Sequence, residues 1–346
     1  MKKILVFGAF GYTNNQLDGQ TVKTRNVYKL LVDRYDGVVM KSDSIEIKRK
    51  PWLIFSFFLK LVVCNTLIII PCLNNMTYAF PIVYMLSKVF KYNIVSICIG
   101  GWQVEYFKGN ERFKPHPRQL RYSKGICAFL PEMEKVNNDL IEKFDFKNTE
   151  VFPNFRFIEH KEIPIDNHDE LRLVFMARIN KKKGYRVVFD VLDKLHLDNI
   201  PVTMTFYGQI ADEDRDDFER LLSKHSYNTK YEGALNPNDI QRTLLQYDVL
   251  LLPTQYYTEG FPGSILDAYI AGVPVIVTEW KHSHEFVKDS ITGFIVPFEN
   301  GVDVFVERIR QLNDNREKLT QMKLAAREQC NKYSETAAWD VLKKYI

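Results

Sequence analysis

Residues 251–277 read Leu-Leu-Pro-Thr-Gln-Tyr-Tyr-Thr-Glu-Gly-Phe-Pro-Gly-Ser-Ile-Leu-Asp-Ala-Tyr-Ile-Ala-Gly-Val-Pro-Val-Ile-Val. The pattern is strand, loop, helix, strand. Asp248–Leu252 is a short apolar run closed by Pro253, and Val273–Thr278 is β-branched apart from its proline. Between them the residues mark one helix: Pro262 suits its first position, Gly272 the left-handed residue past its end, and Pro274 forbids continuation. A parallel strand pair joined by a helix sets the helix N-terminus at the carboxyl end of the first strand, where open α/β sheets bind ligands. The amides of Phe261, Gly263 and Ser264 are then candidate donors, and Gly260 and Gly263 let a ligand approach the backbone. Glu259 in the loop and Asp267 one turn inside the helix add two acceptor-only carboxylates. Together they suit a polyhydroxylated ligand bearing phosphate. The plain alternative is an ordinary loop and helix start, with Asp267 a solvated acid.

Glu259-Gly-Phe-Pro-Gly-Ser-Ile-Leu-Asp267, followed by Ala268 and Gly272-Val-Pro-Val, resembles the E-x7-E signature of retaining GT-B glycosyltransferases, family 4 (glycosyl transferases group 1) in particular. Asp267 stands where the family has its second Glu; it is one methylene shorter and still accepts from a diol. The resemblance implies an α/β fold of two doubly wound Rossmann-like domains facing across a cleft. It also implies that Glu259 contacts the donor sugar, that Asp267 contacts the nucleotide ribose, and that Phe261, Pro262, Gly263 and Ser264 line the sugar and phosphate.

At 346 residues the chain exceeds what one core usually serves, so two domains are expected. A hydrophobic content of 46% and a charged content of 26% describe a globular protein rather than a disordered one. The five cysteines, Cys64, Cys72, Cys98, Cys127 and Cys330, form no C-x-x-C pair and read as reduced core residues in a cytoplasmic protein, with no zinc site. The opening Met-Lys-Lys-Ile-Leu-Val-Phe-Gly has the basic end of a leader, but Gly8 and Gly11 break its apolar run, so it reads as a first strand. Trp52–Ile70 is interrupted by Lys60, Asn65 and Thr66, and no transmembrane helix is expected.

Charge is uneven along the chain. Residues 1–160 carry 23 Lys and Arg against 14 Asp and Glu, a net of +9, and the remainder carries 24 against 29, a net of −5. The basic half should face something anionic. Its strand signals are Ile4–Phe7, Val38–Met40, Leu67–Pro71, Ile94–Ile99 and Ile126–Leu130, alternating with helical patterns at Thr21–Asp33, Ala79–Phe90 and Glu132–Phe144. The family has a glycine-bearing loop facing the donor near the first helix, and Asp18-Gly19-Gln20 is the matching stretch, so Gly19 is a donor-side residue by resemblance.

Lys48-Arg49-Lys50 precedes the aromatic and apolar segment running to Val63. Two readings are open: a segment lying on the inner membrane surface, or a core helix with a solvated basic lead-in. A second basic run holds Lys108, Arg112, Lys114, His116, Arg118, Arg121 and Lys124 with a single acid, Glu111. It either binds an anionic acceptor, such as a lipid-linked diphosphate, or is a solvated face. No nucleic-acid recognition motif accompanies it, and nucleic acid is not an expected partner. Where many family members carry a His after the fourth strand this chain reads Gly100-Gly101-Trp102-Gln103, so no catalytic His is expected and Trp102 is an acceptor-side candidate.

Val151-Phe-Pro-Asn-Phe resembles the family's turn before the domain linker, and Glu159–Glu170 is polar as a linker should be. The expected domains are 1–158 on the acceptor side, 169–325 on the donor side, and a helix at 326–346 that returns to the first domain. Leu171–Ala177 opens the second domain as a strand and is followed by Arg178-Ile-Asn-Lys-Lys-Lys-Gly184 and a helix at Tyr185–Lys194. Arg178 and Lys183 match the family's Arg-x4-Lys-Gly element, which implies that both bind the donor diphosphate. A guanidinium grips phosphate bidentately and an ammonium acts as a mobile point charge. Val202–Tyr207 ending in Gly208, and Lys230–Gly233, resemble strands lining the nucleotide pocket. Asp239–Tyr247 and Val302–Leu312 read as helices and Gly293–Pro297 as a turn and strand. Glu285 matches a position near the donor, although a first-turn Glu is also favoured by the helix dipole.

The resemblance implies an enzyme moving a sugar, with retention, from a nucleotide-diphosphate sugar (UDP favoured) to a saccharide or lipid-linked acceptor in cell-surface polysaccharide synthesis, and since no Asp-x-Asp element stands at a strand end it is expected to be metal-independent. The donor is a substrate and no cofactor is expected. Glu259, Arg178 and Lys183 are the catalytic candidates. Two other classes fit less well: a non-catalytic scaffold that kept the fold, and a nucleotide-sugar epimerase, which needs acid and base residues in the first domain.

Overall fold

The computed structural model describes residues 1–13, 18–109, 113–159, 162–163 and 169–346. The chain forms two compact units, Met1–Phe157 with Tyr333–Ile346, and Ile158–Lys332. Residues 326–332 of the segment expected to return therefore group with the second unit.

In the first unit the elements run β1 (Lys3–Gly8), α1 (Gly19–Arg34), β2 (Val38–Asp43), α2 (Ser44–Arg49), α3 (Leu53–Val63), β3 (Thr66–Ile69), α4 (Phe80–Phe90), β4 (Asn93–Ile97), α5 (Gln103–Lys108), α6 (Gln119–Lys124), β5 (Ala128–Leu130) and α7 (Glu134–Phe144). The five strands are parallel in the order β2-β1-β3-β4-β5. Both sheet faces are covered, which is why the central strands read as unbroken apolar runs. Ile4, Val6, Ile68, Val95 and Ile97 form one core with Val27 and Leu30 of α1. On the other face Phe7 meets Phe57 of α3 at 4.6 Å. α1 starts where its cap says it should, the Asp18 carboxylate accepting from Gln20 N and Thr21 N.

Of the two readings left open for Lys48–Val63, the core helix does not form: the segment divides at Pro51, its first residues ending α2 and the rest forming α3, because proline cannot continue the first. α3 buries only Phe57 and Leu61. Among the cysteines, Cys64, Cys98 and Cys330 are buried, but Cys127 is exposed just ahead of β5.

The second unit continues with β6 (Leu171–Met176), α8 (Tyr185–Leu197), β7 (Val202–Tyr207), α9 (Arg215–Lys224), β8 (Thr229–Tyr231), α10 (Ile240–Leu244), β9 (Val249–Leu252), α11 (Gly263–Ile270), β10 (Val275–Thr278), α12 (Ser283–Phe286), β11 (Gly293–Val296), α13 (Val302–Asp314) and α14 (Arg316–Cys330). Its six strands are parallel in the order β11-β10-β9-β6-β7-β8. The chain thus starts mid-sheet, builds outward through β7 and β8, then crosses to β9 and builds outward on the other side. Phe175, Phe189, Phe206 and Phe218 pack ring to ring in its core, with Phe189 stacked on Phe206 at 5.0 Å. Finally α15 (Glu335–Leu342) puts Ala338 and Leu342 into the core of the first unit.

Pro262 is not the first helical residue: it is extended (φ −62°, ψ 124°) and caps α11, which begins at Gly263. The proline ring sets φ for either role, and ψ turns the chain before the helix. Gly272 follows α11 with φ +69°, as its position demands.

Candidate functional site

β6 and β9 are neighbours in the sheet, with Leu173 opposite Val249 and Val174 opposite Leu250. The chain leaves β6 toward β7 and leaves β9 toward β10, so the strand order reverses between them. Such a reversal, at the carboxyl ends of an open α/β sheet, is the usual place for a ligand.

The β6 connection carries Arg178 and then a 3-10 turn at Lys181–Lys183, capped by Asn180, whose Oδ1 accepts from Lys183 N at 2.9 Å. Gly184 follows with φ +82°, and a Cβ there would lie 1.8 Å from Pro253 O. Only glycine lets the turn press against the end of β9. Gln255 N donates to Lys182 O at 2.7 Å and completes the junction. As a consequence Lys183 Nζ meets Glu259 Oε2 at 2.5 Å, a half-buried ion pair between residues 76 apart in sequence. Thr254 Oγ1 donates to the same carboxylate oxygen across 3.3 Å, and Thr254 O in turn accepts from Thr278 Oγ1 at 2.6 Å. Two of the three catalytic candidates are therefore in contact.

The third, Arg178, is exposed, and among the described residues no hydrogen bond or ion pair holds it. Gly208 follows β7 with φ +139°, and a Cβ there would sit 1.8 Å from Ala177 O and 3.4 Å from Arg178 N. It is thus the residue that allows the backbone bearing Arg178 to lie beside β7. Phe261 anchors the β9 loop from inside, its ring stacked on Phe286 at 4.1 Å. Pro262 is buried, and Gly263 and Ser264 open α11 half-buried. Asp267 is 5% exposed, so it is not a solvated surface acid. Glu285 lies in the single turn of α12.

In the first unit Gly19 is the exposed first residue of α1, with nothing within 4 Å of where a Cβ would point. Trp102 caps α5 after β4 and meets Tyr106 edge-on at 5.4 Å. Lys48, Arg49 and Lys50 are exposed after edge strand β2, with Arg49 3.2 Å from Glu46. Arg118 and Arg121 are exposed at α6, before the other edge strand, β5. Arg112 lies outside the described residues.

Sequence reasoning missed two groups. Thr254 gives no signal beyond a hydroxyl at a strand end. Lys23 does: with Val27 and Leu30 it occupies the apolar stripe of α1, and a cation there needs a partner. Its Nζ donates to Phe152 O at 3.0 Å and lies 3.3 Å from Glu132 Oε1, while Glu132 Oε2 accepts from Gly100 N at 3.0 Å. Burial holds the Lys23 ammonium below its usual pKa, the Glu132 charge opposing that shift. This network fixes the start of the Gly100–Gln103 turn.

Two parallel α/β Rossmann-like units, the second with cations, a carboxylate and a helix N-terminus at its strand reversal, define a protein of the GT-B class. Residues 156–329 match the model of the family Glycosyl transferases group 1, and the chain belongs to that family. Among curated relatives it is 25% identical over 174 residues to the amylovoran biosynthesis glycosyltransferase AmsK of Erwinia amylovora, covering 46% of this chain and 40% of that one. Over 79 residues, 23% of this chain and 20% of the other, it is 33% identical to the UDP-Gal:alpha-D-GlcNAc-diphosphoundecaprenol alpha-1,3-galactosyltransferase of Escherichia coli. The chain spans less than half the length of these relatives. Of solved structures, HepE of Anabaena in complex with UDP and glucose superposes with TM-score 0.72 at 14% identity over 99% of both chains. A glycosyltransferase of Rickettsia africae superposes with the same score at 15% identity over 99% of this chain and 97% of that one. These likenesses show the fold.

Proposed function

We propose that the protein is a retaining glycosyltransferase that moves a sugar from a UDP-sugar to a saccharide or lipid-linked saccharide in cell-surface polysaccharide synthesis, working from the cytoplasmic side. The observation that carries the reading is the Lys183–Glu259 contact at the strand reversal, with Arg178 in the same β6 connection as Lys183. In the transfer the bond from the anomeric carbon to the β-phosphate oxygen breaks and its electron pair stays on the diphosphate. Arg178, Lys183 and the N-terminal amides of α11 take up that charge, which is greater in the transition state than in the bound donor and so lowers the barrier. Glu259, released from Lys183 by the phosphate, accepts from sugar hydroxyls and orients the ring. The acceptor oxygen forms the new bond on the same face, and its proton passes to the departing phosphate. In this reading neither a metal nor a cofactor takes part. Asp267 serves the ribose in this reading.

The galactosyltransferase relative has UDP-Gal and a diphosphoundecaprenol substrate in its name and AmsK has amylovoran biosynthesis, which supports the choice of donor and acceptor class. A thermal-shift screen of UDP, GDP, ADP and their common sugars tests it, run on wild type and Arg178→Ala. Ligand at a hundredfold its Kd adds about 2.7 kcal/mol of stability. A shift with UDP compounds that is lost in the variant is expected. Silence with every nucleotide would move the weight to a scaffold that kept the fold.

A further inference from the structure

A surface helix normally buries one stripe and shows polar residues on the other. α3 and α4 of the first unit do not. On and just ahead of α3 the outward residues are Trp52, Phe55 and Leu59, and on α4 they are Ile82, Met85 and Val89. Both sets follow the i, i+3, i+7 spacing of a single helix face, and all six are between 54% and 72% exposed. The two stripes belong to one surface: the helices lead into neighbouring strands, β3 and β4, and Phe58 of α3 lies edge-on to Phe90 of α4 at 5.8 Å. A contiguous apolar face of this kind marks an interaction site.

The charge around it says what the partner is. Between Glu46 and Glu105 the sequence holds no acid and six cations, Lys48, Arg49, Lys50, Lys60, Lys88 and Lys91. Lys48 and Lys50 stand exposed at the entry to α3, and Lys88 and Lys91 at the exit from α4. A second copy of this chain would set cation against cation. A bilayer with anionic headgroups offers both complements, an apolar layer for the aromatic and aliphatic stripe and negative charge for the lysines. No helix among the described residues is long and apolar enough to cross a membrane.

We propose that α3 and α4 together are a docking face that lays the protein on the surface of an anionic phospholipid bilayer. The inference goes beyond the transfer reading and does not need it, because binding is measured without turnover. The experiment is sedimentation of the full chain with vesicles of phosphatidylcholine alone and of phosphatidylcholine mixed with phosphatidylglycerol. Binding to the mixed vesicles only is expected. Phe55→Ser/Leu59→Ser on one helix and Ile82→Ser/Val89→Ser on the other should each weaken it at least tenfold, with unchanged melting temperature because all four side chains already face solvent. Lys48→Glu/Lys50→Glu should weaken it at least as much, since each lysine near the surface is worth about a fivefold change. Binding to neutral vesicles as well, or to neither, overturns the proposal. So does wild-type self-association in solution that the serine variants abolish, which would make this a contact between proteins.

Discussion

Lys183 and Glu259 hold each other, and in the proposed reading a bound donor would have to part them. The ammonium lies 2.5 Å from the carboxylate, and under the proposal a diphosphate would displace that carboxylate by bringing more negative charge to the same point. The two residues should therefore respond differently to substitution. Lys183→Ala would remove the proposed charged contact to phosphate and should weaken UDP binding by about 1.5–3 kcal/mol. Glu259→Gln removes the competitor and should leave UDP binding equal or tighter, while transfer to acceptor falls at least a hundredfold. Isothermal titration with UDP, set beside a transfer assay, checks both; equal losses of UDP affinity in the two variants would sink the idea. At this scale the Glu259 to Asp267 spacing and the Arg178 to Lys183 spacing were legible because each is local. Thr254 was not, because its hydroxyl matters only through the loop that β6 brings against it.

Among the elements, the tie that joins β6, β9 and α14 is ionic. Asp248, just ahead of β9, accepts from Arg172 N at 2.9 Å and from Lys323 Nζ at 2.7 Å, with Asp248 and Lys323 buried. Burial pushes the Asp248 carboxyl up, but Arg172 and Lys323 beside it outweigh that and hold it below its usual value. A carboxyl depressed on folding contributes stability that is present above its unfolded pKa, about 3.9, and is lost as pH falls through the lower folded value. Asp248→Asn leaves Lys323 buried without its counter-charge and should cost about 3–5 kcal/mol at neutral pH. The variant should also lose less stability between neutral pH and pH ~3 than wild type does. Urea denaturation at several pH values measures both, and a variant whose acid slope equals wild type would remove Asp248 as its source. The helix limit at Gly272 was readable at this scale because it acts on its own neighbours, whereas the start of α1 at Gly19 and the break at Pro51 were not read. The Pro262 boundary missed by one residue because ψ, not φ, decided it.

For the molecule as a whole, two units with separate cores imply two responses. Ala338 and Leu342 of α15 belong to the first core, so ending the chain after Lys332 should destabilise the first unit. UDP should still protect the second, whose site residues are all retained. Calorimetry with and without UDP reads this: the full chain should show one UDP-sensitive component, and the truncated chain should keep it while the other melts lower. Loss of both together would mean that the units fold as one. The amino-acid sequence by itself determined the alternation of strands and helices, hence the α/β class, and the motif residues, because periodicity and spacing are written along the chain. Strand order was the tertiary structure's decision, and with it the β6 and β9 contact that joins residues 76 apart. It also decided that Lys23 is buried against Glu132 and that α3 and α4 keep an apolar face uncovered. Sequence tells which residues are apolar or charged; what covers them depends on segments far away in the chain, and only packing brings those together.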